Sequence, residues 1–308
     1  MPPRRPATQT NRRRAAKPKR GRVSTPAALV FIAGVAASLI ILFFVYAFYM
    51  LPAKQEASKP APAKPTQTEK AAAVAQQPDP APAPPATPGQ PRLVIVIDDL
   101  GQSLEPARDL LDLALPVTFS ILPNLPATTE TDELAAKAGM EVILHQPMEA
   151  ATQPREERGT LKPSMSVPEV AATLAAHLAQ LPHAAGVSNH TGSKATEDPV
   201  LMAAVMTALK DRKLFFLDSL TTSKSAAQAQ AGRLNVPFLA RNVFLDAERG
   251  QQAALLQLAQ AEKEAKAKGR AIAIGHPYPE TIAALSTWSI RRDKSVKLVT
   301  LGSLLKAN

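Results

Sequence analysis

Three of the five histidines and four aspartates directly follow runs of apolar residues that have the character of buried strands: His145, His190, His276, Asp98, Asp99, Asp218 and Asp246. Because the carboxyl ends of parallel strands meet at one edge of a sheet, we expect these side chains to share one mouth. Imidazoles beside carboxylates can ligate a metal or move protons. A single histidine is more often a structural hydrogen-bonding group, so it is their number at one edge that favours a functional site.

The aspartate pair Asp98-Asp99 directly follows the aliphatic run in the segment 92–101, which reads R-L-V-I-V-I-D-D-L-G. Its five consecutive aliphatic residues predict a strand that is buried on both faces. Successive strand residues point to opposite faces, so one carboxylate could hold a metal while its neighbour handles a proton. The alternative is that the pair only caps the following helix, and this segment alone does not decide between the two.

Residues 91–308 alternate strand-like and helix-like segments, a pattern typical of a mostly parallel sheet with crossover helices. Seven or eight such units predict a compact α/β barrel, either complete or incomplete. Ser166 is expected to cap one helix, and Asp198 followed by Pro199 is expected to begin another. We expect His177, on the apolar face of a helix, and His183, in a loop, to be structural.

The net charge of +10 is concentrated at the amino-terminal end of the chain. Residues 1–50 contain nine Lys or Arg and no acid, whereas residues 91–308 contain 23 basic and 23 acidic residues. The globular part therefore has no electrostatic reason to bind nucleic acid. The chain has no cysteine, so no disulfide can stabilise it.

Residues 27–51 are 25 consecutive uncharged and mostly apolar residues, which predict a transmembrane helix. This run is longer than the apolar core of a cleavable signal peptide. The basic residues before it predict a cytoplasmic amino terminus, because positive charge favours the inner side of a membrane. We therefore expect a single-pass signal anchor in a bacterial inner membrane, with the rest of the chain in the periplasm.

Residues 52–91 contain eleven Pro and eleven Ala, a composition that cannot build a core and favours an extended linker. The predicted organisation is a basic cytoplasmic tail at 1–26, the membrane helix at 27–51, this disordered linker, and one domain at 92–308.

Six motifs of this domain resemble the divergent polysaccharide deacetylase family, which is related to carbohydrate esterases: V-I-V-I-D-D-L-G, L-H-Q-P-M-E, S-N-H-T-G-S, F-F-L-D-S, V-F-L-D and I-G-H-P. The resemblance covers about 92–305. It implies a distorted (β/α) barrel of about seven strands and the hydrolysis of acyl groups on sugars.

The resemblance also implies roles for individual residues. The first aspartate of the pair acts as the base in ordinary polysaccharide deacetylases and the second binds the metal, which assigns Asp98 and Asp99. His276 is similar to the histidine that acts as their general acid. The implied cofactor is a divalent metal, and oxygen and imidazole ligands suit zinc.

The second motif of this chain departs from the family. Ordinary members have two metal histidines four residues apart; His145 matches the first, but Glu149 occupies the second position. Either His190 or Glu149 would have to complete the ligand set.

The leading hypothesis is a membrane-anchored, metal-dependent hydrolase that removes acetyl groups from an envelope polysaccharide. The alternative is a catalytically silent, glycan-binding or scaffold domain on a membrane stalk. The incomplete histidine motif keeps this alternative open, and the sequence does not indicate any protein partner.

Overall fold

The computed structural model of the protein describes residues 89–152 and 157–306. The predicted basic tail, the transmembrane helix at 27–51 and all but the last residues of the linker lie outside the described residues. Among the helices in the described ranges, none is long and apolar enough to cross a membrane.

The described chain alternates strands and helices, as the apolar pattern predicts. The strands are β1 (Arg92–Leu100), β2 (Val117–Ile121), β3 (Glu141–Met148), β4 (Ala184–Thr191), β5 (Phe215–Asp218), β6 (Phe238–Ala240), β7 (Val243–Phe244), β8 (Arg270–Gly275) and β9 (Lys297–Leu298). The helices are α1 (Glu105–Asp112), α2 (Thr128–Lys137), α3 (Val167–Leu178), α4 (Pro199–Arg212), α5 (Ala227–Leu234), α6 (Gln251–Lys268), α7 (Pro279–Arg291) and α8 (Leu301–Leu305).

The strands form a parallel α/β half-barrel with the order β6-β5-β4-β3-β2-β1-β8-β7. The short strand β9 pairs with the beginning of β1. The end strands β6 and β7 are joined by only two residues, Arg241 and Asn242, and within the described chain they do not pair with each other. The predicted parallel α/β class is confirmed. The eight strands along this path include the three-residue β6, which the sequence pattern did not reveal.

Strand β1 is buried on both faces, as predicted. Leu93, Ile95 and Ile97 lie in the larger hydrophobic core, which the sheet forms with the surrounding helices. Val94 and Val96 lie in a second core, together with side chains from β3, β5, β6, β8 and α8. Full burial of each aliphatic side chain contributes about 1.5–3 kcal/mol, so this strand anchors both sides of the sheet.

Two predicted helix starts are confirmed by hydrogen bonds. Ser166 and Glu169 form a reciprocal capping box at the start of α3. The carboxylate of Asp198 accepts hydrogen bonds from the backbone N–H groups of Val200 and Leu201 at the start of α4. These caps satisfy backbone donors that have no partner within the helix, and so fix where each helix begins.

Candidate functional site

The end of β1 is bulged at the aspartate pair. The register with β2 shifts between Ile97 and Leu100, and Asp99 has a left-handed φ of 59°. Both carboxylates therefore approach one imidazole: Asp98 Oδ1 lies 3.5 Å from His145 Nδ1, and Asp99 Oδ1 lies 3.3 Å from His145 Nε2. The expectation that the two side chains point to opposite faces is wrong, because the bulge interrupts the regular alternation of the strand.

Asp99, His145 and His190 bring one oxygen and two nitrogens into a compact triangle. Asp99 Oδ1 lies 2.9 Å from His190 Nδ1, which in turn lies 3.2 Å from His145 Nε2. Among the described residues, these three side chains form the one group with metal-ligand atoms this close together. Burial opposes the ionisation of Asp99, but the close contacts with the two imidazoles outweigh burial and hold the pKa of Asp99 well below its usual range.

The dimensions of this triangle fit a divalent metal. Ligands about 2.0–2.1 Å from a zinc ion are about 3.3 Å apart in a tetrahedral shell and about 2.9 Å apart in an octahedral one. The three edges of 2.9, 3.2 and 3.3 Å span this range. Asp99 Oδ1 is also buried without a hydrogen bond of acceptable geometry. An oxygen in that position is well placed to ligate a cation.

The second nitrogen of His145 is held by a pair of serines. His145 Nδ1 forms a 2.8 Å hydrogen bond with Ser188 Oγ, and Ser188 Oγ forms a 2.9 Å hydrogen bond with Ser120 Oγ. All three side chains are buried. The serines therefore fix the imidazole with Nε2 directed toward Asp99 and His190.

The second nitrogen of His190 is held by a residue that the sequence analysis did not assign to the site. His190 Nε2 lies 3.1 Å from Glu157 Oε1. Burial would lower the pKa of His190, but the adjacent carboxylates of Asp99 and Glu157 raise it to about 10. The imidazole is therefore held by a carboxylate on each side.

His276 reaches the same site from the carboxyl end of β8. Asp246 holds it in place, accepting hydrogen bonds from His276 Nδ1 at 2.9 Å and from the His276 backbone N–H at 2.6 Å. Thr281 Oγ1 also donates to Asp246, at 2.8 Å. Burial opposes protonation of His276, but the hydrogen bond to Asp246 and the charge of Asp99 raise its pKa above the usual value. Its Nε2 lies 3.7 Å from Asp99 Oδ2.

Asp98 is a buried carboxylate beside the triangle. Its exposed fraction is 3%, and Oδ1 has no hydrogen-bond partner of acceptable geometry. Burial raises the pKa of Asp98, against the opposing effect of nearby His145. A carboxylate destabilised in this way gains more from accepting a proton than an exposed one does.

The structure does not bring Glu149 to this cluster, so its prediction as a metal ligand is corrected on geometry. Its Oε1 lies 2.7 Å from Lys194 Nζ, in an ion pair away from the triangle. Strand β3 continues through Met148, past His145. Four residues of extended strand span about 13 Å, whereas the same spacing on a helix would bring the two side chains together.

These groups open into a cleft of about 410 Å³ at the carboxyl ends of the strands. Its walls combine the polar groups of the site with the apolar side chains of Leu220, Phe244 and Ile274. The guanidinium of Arg241 also lines the cleft. Arg241 donates hydrogen bonds to the carbonyl oxygens of Ser219 and Leu220. Asp218, predicted to share the mouth, instead accepts a hydrogen bond from the backbone N–H of Leu220 and shapes this wall.

Two kinds of functional residue were missed by sequence reasoning. Ser188 lies two positions before His190 on β4, so the alternation of strand residues could have placed it on the same face. Glu157 lies in the loop between β3 and α3, where no periodic pattern marks a side chain. His177 and His183 are structural, as predicted: each forms a hydrogen bond outside the cleft.

The sequence motifs predict a distorted (β/α) barrel of about seven strands with aspartates and histidines at its carboxyl edge. The structure has the parallel α/β class and this edge, but its sheet is a half-barrel of eight strands, and comparison with known proteins agrees with the class. Residues 95–305 match the family described as divergent polysaccharide deacetylase. The chain belongs to this family.

Several relatives share this part of the chain. The sequence is 34% identical over 214 residues to the uncharacterized protein YibQ of Escherichia coli strain K12, covering 70% of this chain and 67% of that protein. It is 35% identical over 215 residues to an uncharacterized protein of Haemophilus influenzae, covering 70% and 77%. A crystal structure of an uncharacterized protein from Agrobacterium tumefaciens C58 has the same fold, with a TM-score of 0.65, 24% identity and coverage of 71% and 92%.

Proposed function

We propose that the protein is a metal-dependent hydrolase that removes acyl groups, acetyl in particular, from an envelope polysaccharide. The observation that carries this proposal is the convergence of three elements in one cleft. A metal-sized triangle lies beside the buried carboxylate of Asp98 and beside His276, which is braced by Asp246. Family membership supports a polysaccharide as the substrate.

The metal-binding residues are Asp99, His145 and His190. A divalent ion such as zinc, when bound there, would polarise the acyl carbonyl and make a bound water more acidic. Asp98 accepts the proton that this water loses, because burial has raised the pKa of its carboxylate. Asp98 lines the same cleft as His145 and His190.

His276 supplies the proton for the leaving group. Its Nδ1 donates to Asp246, so the proton available for transfer is on Nε2, which faces the site. Asp246 and Asp99 favour the imidazolium form and raise the pKa of His276 above its usual value, which suits a group that donates a proton. Transfer of this proton to the leaving amine nitrogen, or alcohol oxygen, completes the hydrolysis.

Metal analysis and acetate release test the proposal together. The full-length chain, purified in detergent, is expected to retain one divalent ion per molecule and to release acetate from N- or O-acetylated glycans. A matched control is His183→Ala, which removes a histidine that lies outside the cleft. If the parent binds metal but releases no acetate from any acetylated glycan, the silent glycan-binding alternative is favoured. If it binds no metal, the hydrolytic proposal fails.

The location of this activity is a second part of the proposal. Residues 27–51 anchor the chain in the inner membrane, and the 52–91 linker holds the domain in the periplasm, as the charge pattern favours. Protease added to intact spheroplasts is expected to cut the linker and release a fragment of about 23 kDa. A fragment that stays protected until the membrane is broken would show that the orientation is wrong.

A further inference from the structure

Glu157 is a carboxylate that holds His190 by its outward nitrogen. His190 Nδ1 faces Asp99 and His145, so Nε2 is the nitrogen that points away from the triangle. Glu157 Oε1 lies 3.1 Å from this Nε2. A metal-ligating histidine commonly donates its other ring N–H to a carboxylate, which fixes the tautomer and strengthens the ligand.

The backbone that carries Glu157 is fixed from the side opposite to the cleft. Gln146 Nε2 donates to the carbonyl oxygen of Gly159 at 3.1 Å, and Asn124 Nδ2 donates to that of Arg158 at 3.2 Å. The Leu161 backbone N–H donates to the carbonyl oxygen of Pro147 on β3. We call residues 157–161 the strap, because they cross the end of β3 and are bonded to it.

Gly159 allows the strap to approach this closely. Its φ of +78° is left-handed, and a Cβ at this position would lie 2.3 Å from His177 Nε2. A larger residue would therefore push the strap away from α3 or displace the buried imidazole. The close packing behind Gly159 keeps the neighbouring Glu157 within reach of His190.

We propose that Glu157 is a positioning residue that orients His190 as a metal ligand and so compensates for the histidine missing from the second motif. The inference rests on the proposed metal-dependent function. Glu149 stands at the sequence position of the missing histidine, whereas the third ligand comes from β4 and needs its own support. His145 receives such support from buried serines within the sheet. His190, at the sheet edge, receives it from the strap.

Zinc affinity, measured by competition with a chelator on the full-length chain, tests this role. Glu157→Ala is expected to lower the affinity about 10-fold, the smaller end of the usual effect of such partners, because the carboxylate is partly exposed to solvent. Glu157→Gln keeps an acceptor oxygen and is expected to recover most of the loss. Glu149→Gln is the matched control, since it removes a nearby carboxylate that pairs with Lys194, and it is expected to bind zinc like the parent.

The imidazole N–H signal of His190 in nuclear magnetic resonance spectra gives a second readout. In the zinc-loaded parent, the proton on Nε2 is expected to be protected from exchange by its bond to Glu157. Glu157→Ala should lose this protection, while Glu157→Gln and Glu149→Gln should keep it. A residue that only stabilised the fold would not change this signal selectively.

Gly159→Ala tests whether the strap itself matters. It leaves every polar side chain in place but is expected to weaken zinc binding by displacing Glu157. Unchanged zinc affinity in Glu157→Ala, or an equal loss in Glu149→Gln, would overturn the inference and leave the metal site intact. Failure of the parent itself to bind zinc would instead reject the proposed function, and the inference with it.

Discussion

Two neighbouring residues of β3, His145 and Gln146, face two very different buried environments. His145 meets the carboxylates of Asp98 and Asp99 and the imidazole of His190. Gln146, on the opposite face, accepts a 2.7 Å hydrogen bond from His177 Nδ1. The far nitrogen of that imidazole contacts the side-chain amide of Asn124.

The difference between the two sides lies in the partners of the histidines. Carboxylates at the cleft raise the pKa values of His190 and His276 above the ordinary value despite burial. Behind β3 the hydrogen-bonding partners are neutral amides, so burial dominates and lowers the pKa of His177 to about 4. The surroundings of a buried histidine therefore decide whether its charged or its neutral form is favoured, and the chain places one environment of each kind on the two faces of one strand.

The largest expected effect on metal binding comes from removing a metal ligand at the cleft, on the face of β3 that carries His145. Asp99→Ala or His145→Ala should abolish metal retention, and with it acetate release, because two remaining ligand atoms cannot hold the ion. Metal analysis after dialysis, with circular dichroism to verify folding, measures this. Full metal retention in both variants would mean that the two environments do not differ in metal binding.

Removing a proton-transfer group should have a smaller effect. Asp98→Asn and His276→Ala are expected to keep the metal but to lower kcat for acetate release by about 10²–10⁴-fold, the usual contribution of a general acid or base. Steady-state kinetics on the metal-loaded protein test this. Rates equal to that of the parent would remove both residues from the mechanism.

The environment behind β3, where His177 contacts neutral amides, should affect how the free energy of unfolding depends on pH. The pKa of His177 is about 4 when folded and 6.5 in its ordinary state, so the unfolded chain takes up a proton first as the pH falls. The folded state should therefore lose up to about 3 kcal/mol between pH 7 and pH 4 from this residue. Urea unfolding of the parent and of His177→Gln should show a shallower pH dependence in the variant; equal slopes would contradict the assignment.

The smallest effect is expected outside both environments. Lys194 pairs with Glu149 at the surface, and its side chain is 53% exposed. Such pairs contribute about 0–1 kcal/mol because water screens them, so Lys194→Ala should change the free energy of unfolding by no more than this. Urea unfolding at neutral pH measures it. A larger loss would mean that the ion pair supports the end of β3.

The sheet and much of the site could be predicted because both follow from strand periodicity. The double burial of β1, the locations of His145 and His190 in strands, and the location of His276 directly after one needed only local patterns. Glu149 could not be placed correctly without knowing that the backbone stays extended after His145. Glu157 could not be found, because its position depends on packing between a loop and α3 that leaves no periodic signal.

The same limit applies to surface pairs. The spacing of Glu264 and Lys268 on α6 predicts an ion pair, and this pair forms. Glu262 and Lys266 have identical spacing but do not pair. Glu262 accepts a hydrogen bond from Trp288 Nε1 on α7, and Lys266 forms its ion pair with Asp293. Helix spacing identifies possible partners, but a neighbouring helix decides between them.

The position of β1 has a mechanical consequence. This first strand is not at the rim of the sheet, because it pairs with β8 along one edge and with β9 and then β2 along the other. Any tension transmitted through the chain ahead of Arg92 is thus applied to an interior strand, along its axis, and loads the hydrogen bonds of both edges in shear. They must yield together rather than one at a time, which makes the beginning of β1 a part of the domain well suited to carry load.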